Sequence, residues 1–514
     1  MAEAPAEPRR TPDGVRAGGR LQAVLLWTLL TALALHPTQI TVRQWADALA
    51  QRLGFGLRAA GLIPAVGICV SDALFVVAFG LWLVAGRADG RLTSCIRRYP
   101  AALIALFGAV VLAAVPHLKP IGLLGGRTVA WGRAVQELVQ LAVLLGCAYA
   151  VLADRLRDPA WRTRLTGAFL CGAFAAILIG VWDYGRLRPD ATDPRFAVSP
   201  AQVDGSFGFA AEAAGPHEQA GTLSNRNVLG AWVSLAVPLL WGLALCVRRP
   251  PVRAACGVAA AAGMLLLLHA GLWAFTIVGV LTVAWVRGRQ AFAATALALF
   301  VLWTAVFGFG PQRHGAVLLD SAMLRKSFDR FHVLPVYGGG RVPPQTEPAP
   351  LGSADNSVWQ QRYVEWQAAL QAVARSPLFG VGPGNYQVRV NRYYEPPPDR
   401  LLNPGGVYNV SKPSANLMEA GGNAFYLVWL TETGLVGVLG LLSVLLFGLH
   451  GAVRSYCEGE DDLARGLALG AFGALCAAAG GMAFTHYLVR GVGIAFAFVL
   501  ACASQRTGRP APQA

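Results

Sequence analysis

The feature that most constrains this chain is a succession of apolar runs, each about as long as a bilayer is thick, with arginine crowded into every second connector. Twelve such runs lie near 21–36, 66–86, 100–117, 130–152, 165–184, 227–247, 253–269, 271–286, 290–309, 423–449, 464–486 and 490–505. A helix crosses the hydrocarbon core with ~20 mostly apolar residues, and backbone in lipid must satisfy its own hydrogen bonds. The expected fold class is therefore an all-α integral membrane protein of about twelve transmembrane helices. Composition agrees, with 55% hydrophobic and 14% charged residues, where a soluble domain carries ~25% charged. The pair of runs meeting at Gly271 reads as a tight hairpin or a kink.

Orientation follows from the basic connectors, because Lys and Arg are retained on the cytoplasmic side. Arg9, Arg10, Arg16 and Arg20 precede the first run, and Arg87, Arg91, Arg97 and Arg98 follow the second. Arg155, Arg157, Arg162 and Arg164 follow the fourth, Arg248, Arg249 and Arg253 the sixth, Arg287 and Arg289 the eighth, and Arg454 the tenth. Both termini are thus expected in the cytoplasm, as tails 1–20 and 506–514. The first nine helices fill 21–309, with an external loop at 185–226. A large external, periplasmic loop covers 310–422, and the last three helices lie within 423–505. The first apolar run lacks the small-residue cleavage pattern of a signal peptide. The net charge of +15 is spread over membrane-flanking loops, a distribution that argues against a nucleic-acid partner. The nine cysteines all fall in apolar runs or inner connectors, so neither a disulfide nor a zinc site is expected.

The large loop carries the chemistry-bearing residues. Ser357 to Ala374 reads as an amphipathic helix, capped by Ser357 with Gln360 and ended by Ser376-Pro377. Trp359, Tyr363, Trp366, Leu370 and Val373 form its expected apolar stripe, with Arg362 beside it. The same pattern also suits a helix lying on a surface with a solvated arginine. The following Phe379-Gly-Val-Gly-Pro-Gly-Asn-Tyr386 is a turn-forming segment. Its Gly382, Gly384 and Asn385 could make a backbone nest for an anionic group.

These segments, in this order, resemble the O-antigen ligase and O-antigen polymerase superfamily of bacterial envelope glycosyltransferases. The resemblance rests on the Arg362/Trp366 helix, on Ser376-Pro-Leu-Phe-Gly-Val-Gly-Pro-Gly-Asn-Tyr386, and on Asn423-Ala-Phe-Tyr-Leu-Val-Trp-Leu-Thr-Glu432-Thr-Gly434. Gly221-Thr-Leu-Ser-Asn225-Arg226-Asn227, leading into an apolar run, is similar to a further family segment. The likeness covers roughly Gly221 to Gly440; the first two hundred residues resemble the family in topology alone.

The resemblance implies a membrane protein of the bacterial inner membrane that serves polysaccharide, and in particular lipopolysaccharide, assembly. It implies a glycan donor on undecaprenyl diphosphate, an acceptor that is a lipid, glycan or protein, and contact with membrane lipids. No cofactor or metal is expected. Diphosphate needs charge neutralisation, which guanidinium groups supply bidentately; by motif Arg362 is the first choice and Arg226 the second, flanked by Asn225 and Asn227. Arg226 also suits simple headgroup contact. The family commonly places His-Asn before its Leu-x-x-Leu-x-Glu-x-Gly helix, whereas this chain has Asn423-Ala424. That leaves Glu419 as the expected catalytic base, ahead of His486 and Glu432, with Asn423 as a hydrogen-bonding catalytic residue. Glu432, two turns into an apolar run, reads first as a packed structural carboxylate. Two other classes stay open: a bicarbonate or other small-solute transporter, which would show broken helices or paired charges near midspan, and a non-catalytic polysaccharide-assembly protein.

Overall fold

The computed structural model describes residues 12–38, 69–88, 99–117, 134–135, 137–186, 226–270, 272–308, 358–386, 390, 393, 424–485, 487–488 and 492–505, with backbone alone at some helix ends, including 226–227 and 358–365. Among the described residues every regular element of length is helical. In chain order these are α1 (Pro12–Leu35), α2 (Val70–Ala88), α3 (Ala101–Ala114) and α4 (Glu137–Arg155, π-helical over Ala142–Ala148). Next come α5 (Pro159–Arg186), α6 (Arg226–Cys246), α7 (Pro250–Ala270), α8 (Trp273–Arg287) and α9 (Arg289–Gly308). The chain continues with α10 (Val358–Arg375), α11 (Phe425–Glu458), α12 (Asp462–Gly481) and α13 (Val492–Ala503).

Seven of the described helices are long and apolar enough to cross a membrane, namely α2, α4, α5, α6, α7, α11 and α12. Shorter apolar helices occupy Arg20–Leu35, Ala101–Ala114, Trp273–Arg287, Arg289–Leu302 and Val492–Ala503. The all-α membrane class therefore holds; among the described residues length and composition support seven spans, and the expected twelve are not confirmed. At the Gly271 boundary the chain forms two helices separated by Leu272.

The centre of the bundle is α6 against α12, and glycine sets how closely they approach. A methyl group on Gly242 would stand 2.4 Å from the Gly470 nitrogen, and one on Gly470 2.6 Å from the Leu239 Cα. Gly473 in turn faces α8, where a methyl on Gly279 would sit 2.5 Å from the Gly473 carbonyl oxygen. Lipid supplies no hydrophobic drive between helices, so such backbone proximity is what holds them. Buried polar groups tie further helices in. Trp232 Nε1 donates to His36 Nε2 at 2.9 Å, which makes Nδ1 the protonated nitrogen that donates to Leu33 O at 2.5 Å. The imidazole stacks on Phe169, and Phe169 stacks on Phe498.

Polar contacts sort the connectors into two ends. At one end Arg162 pairs with Asp461, Arg248 with Asp462, Arg287 with Leu245 O and Ser455 with Gln505 O. Asp461 also caps α12, accepting from Ala464 N at 2.7 Å. These connectors follow the fourth, sixth, eighth, tenth and twelfth apolar runs, so the basic connectors gather on one side. At the other end Tyr426 meets Met482 O and Ala479 O, and Gln140 meets Leu488 O. Between the ends the outer surface is apolar: Trp27, Ile104, Leu178, Val258, Phe300 and Leu446 are all exposed. An apolar girdle of this kind suits lipid rather than water.

Candidate functional site

At the end away from the arginines, α11 is broken. Gly434 has φ 65° and ψ −167° within an otherwise continuous run, a region that glycine alone tolerates. The break turns the first segment, Phe425–Thr433, back over the bundle. Gly448 lies beside Leu475, and Tyr426 N donates to Met482 O. The 22 residues separating Gly448 from Tyr426 would measure ~33 Å as a straight helix, against ~10 Å for the seven separating Leu475 from Met482. A straight α11 would therefore overshoot α12 by ~20 Å. Trp429, folded across the break, donates from Nε1 to Gly437 O at 2.9 Å.

A broken helix leaves amides and carbonyls without intrahelical partners, and the glycine-rich segment of the large loop supplies them. Val381 N donates to Thr431 O at 2.8 Å and Gly382 N to Glu432 O at 2.9 Å. In the other direction Leu435 N donates to Pro377 O at 2.8 Å and Val436 N to Leu378 O at 3.3 Å. The Glu432 carboxylate, 3% exposed, accepts from Tyr386 N at 3.0 Å. Glu432 is thus the packed structural carboxylate its sequence position suggested, and one of its bonds is to the loop.

Two glycines make this fit possible. A methyl on Gly380 would come 2.4 Å from Thr431 O, and one on Gly434 2.2 Å from Leu378 O, both backbone atoms that cannot swing aside. Gly382 and Gly384 adopt φ of 97° and 69° and carry the chain round to Tyr386. The amides of Val381, Gly382, Asn385 and Tyr386 all donate within the protein. What the segment leaves uncommitted is the Asn385 side chain. It is fully buried, and its Oδ1 and Nδ2 have no hydrogen-bond partner among the described residues. A buried carboxamide with neither its acceptor nor its donor used is an uncommon expense, and it makes Asn385 the side chain of this segment best placed to meet a ligand.

The helix leading into the turn exists as expected but buries a different face. Ala368, Ala369 and Ala372 are fully buried, while Leu370 is 54% exposed and Trp366 and Val373 are half-buried. Of the expected stripe, Leu370 lies outside the contact and Trp366 and Val373 at its edge, while the side chains of Trp359 and Tyr363 lie outside the described residues. Small side chains win because α10 packs close to α11, sharing a cluster with Val381, Tyr386, Val390, Tyr393 and Val428. Position 362 lies on the helix face that buries Ala369 two turns later, ~10 Å along the axis. It is therefore aligned with the face turned to the site, and its side chain lies outside the described residues.

The other expected site residues separate as follows. Arg226 and Asn227 form the first turn of α6, described as backbone, and Asn225 lies outside the described residues. Glu419, Asn423 and His486 also lie outside them. Among the described residues no three His, Cys, Asp or Glu side chains converge as a metal site, and the eight described cysteines form no disulfide with one another. Sequence reasoning missed the break itself; its signal was the polar quartet Thr431-Glu-Thr-Gly434 inside an apolar run. No known family model matches this chain, and no curated protein matches it.

Proposed function

We propose that this protein is an O-antigen ligase/polymerase-like glycosyltransferase of the bacterial inner membrane, moving a glycan from undecaprenyl diphosphate to an acceptor at the outer face. The observation that carries the reading is a convergence. The two segments most responsible for the resemblance, Pro377–Tyr386 and Phe425–Gly434, are about fifty residues apart, yet they form one hydrogen-bonded unit at the end of the bundle away from the arginines. In this reading the arginine-rich end is cytoplasmic, all twelve apolar segments cross or enter the membrane, and the termini are internal.

The chemistry asks for a new glycosidic bond at the anomeric carbon as the bond to the diphosphate breaks. The acceptor hydroxyl attacks, its proton passes to Glu419, and undecaprenyl diphosphate leaves with its charge held by Arg362 and Arg226. Asn423 and Asn385 orient the polar groups of the sugars, with Asn225 and Asn227 beside Arg226. In this reading the glycine turn is chiefly scaffold, since its Val381, Gly382 and Tyr386 amides bond α11 and that of Asn385 bonds Gly382.

The transporter alternative draws on the same break, because interrupted helices hold ions at the midplane of carriers. The position of this break favours the enzyme. Leu435 to Glu458 alone is 24 residues of helix, ~36 Å long, enough for the ~30 Å core. The break then falls at the membrane boundary, where a headgroup-level reaction belongs. The test is to delete the gene and extract lipid-linked glycans. Accumulation of undecaprenyl-diphosphate glycan, reversed by the wild-type chain, is expected. An unchanged glycolipid profile refutes the assignment.

A further inference from the structure

The apolar side of the turn between α10 and α11 is exposed among the described residues, and it continues an exposed apolar surface on α11. Leu378 and Phe379 are 55% and 40% exposed. Immediately beside them begins an exposed stripe on α11: Leu435, Leu439, Leu442, Leu446 and Val453. Their spacings of four, three, four and seven put them on one helix face. The stripe runs ~27 Å from Leu435 to Val453, close to the ~30 Å hydrocarbon thickness. The turn is fixed to the top of the stripe by the bonds from Leu435 N to Pro377 O and Val436 N to Leu378 O. Directly before the turn stands Arg375, whose guanidinium lies 4.9 Å from the Tyr393 ring centre.

We propose that Leu378 and Phe379 are immersed in the adjoining bilayer leaflet, with Arg375 at the level of the phospholipid phosphates. The large loop is then anchored to the membrane at the point where it seals the broken helix. Three observations select lipid as the occupant. The apolar surface is continuous with a bilayer-length stripe, the turn sits at one end of that stripe, and an exposed cation, Arg375, stands directly before the turn, as suits contact with a headgroup phosphate. The consequence for the site is geometric: buried Asn385 is held a few residues from the acyl-chain boundary, within reach of a headgroup rather than of the distant aqueous phase.

The experiment places p-benzoylphenylalanine at Phe379, and separately at Leu378, in the full chain embedded in phosphatidylethanolamine–phosphatidylglycerol nanodiscs. Ultraviolet light is followed by mass spectrometry of the intact protein. Leu439 serves as the lipid-facing reference and Glu460, exposed on the opposite connector, as the aqueous one. Phospholipid adducts at 379 and 378 are expected in yields within a few-fold of those at 439, with none at 460. Adducts at 439 but not at 378 or 379 overturn the proposal. Adducts joining two protein chains at 379 overturn it as well, since the surface then serves a second copy. No glycan transfer is read, so the outcome is separate from that of the enzymatic assignment.

Discussion

Replacing Gly434 by alanine strikes the break that joins α11 to the turn at the end of the bundle opposite the basic connectors. At φ 65° and ψ −167° a side chain costs about 1–3 kcal/mol in backbone strain. The added methyl would also stand 2.2 Å from Leu378 O and 2.3 Å from Leu378 C, so the turn must retreat from α11. Four backbone–backbone hydrogen bonds tie the turn to α11 at the break, each contributing about 0.5–1.5 kcal/mol net, and losing two adds about 1–3 kcal/mol. The combined cost of about 2–6 kcal/mol exceeds what one loop can absorb, but not the stability of the bundle, so the expected response is local detachment. Hydrogen exchange in nanodiscs reads it directly. The Val381, Gly382 and Tyr386 amides should exchange at least tenfold faster and up to about 10⁴-fold, at 1.4 kcal/mol per decade, while α6 and α12 keep their protection. Gly108→Ala is the control, since a methyl there meets nothing within 4 Å. Wild-type protection of the three amides in Gly434→Ala would refute the account of the break.

Gly242→Ala presses a methyl to 2.4 Å from Gly470 N; about 1–3 kcal/mol of overpacking should appear as a lowered thermal midpoint, and an unchanged one would mean α6 and α12 are not closely apposed. If Arg362 holds a diphosphate bidentately, Arg362→Lys should lose nearly as much transfer from lipid-linked donor as Arg362→Ala, because a point charge does not replace the planar fork. Full activity of the alanine variant at equal expression would remove Arg362 from the site. If Glu419 is the base, its ionised form is the active one, so rate should fall with decreasing pH through the carboxylate range, near or above ~4.3. Glu419→Gln should abolish transfer, whereas Asn423→His should not be needed for it; a Glu419→Gln enzyme with the wild-type profile would place the base elsewhere.

Much of the architecture is legible in the chain because its causes are local. An apolar run of bilayer length can satisfy its backbone in lipid only as a helix, and arginine at alternate connectors sorts the two ends before any packing is known. Helices accordingly occur at the apolar runs, and the described connectors of one parity pair with each other through Arg162–Asp461 and Arg248–Asp462. The helix after Ser357 was likewise readable from its cap and its terminating proline.

Features whose causes lie far apart in sequence were not. Glycine is common in membrane helices, so Gly434 looks like any other until Leu378, 56 positions earlier, fills the place its side chain would need. The described part of the α10 contact face is hidden from the sequence for the same reason. Large apolar residues carry the strongest burial signal, yet close approach to α11 selects Ala368, Ala369 and Ala372, leaving Leu370 outside. Asn385 marks the limit on the candidate site. Its residue type suggested hydrogen bonding, but only the folded turn decided that its backbone is spent on Gly382 while its carboxamide stays buried and uncommitted. Sequence alone determined that this chain lives in a membrane and which connectors share a side. Tertiary contact decided where a helix breaks, because only another segment's backbone can replace the hydrogen bonds that a break gives up.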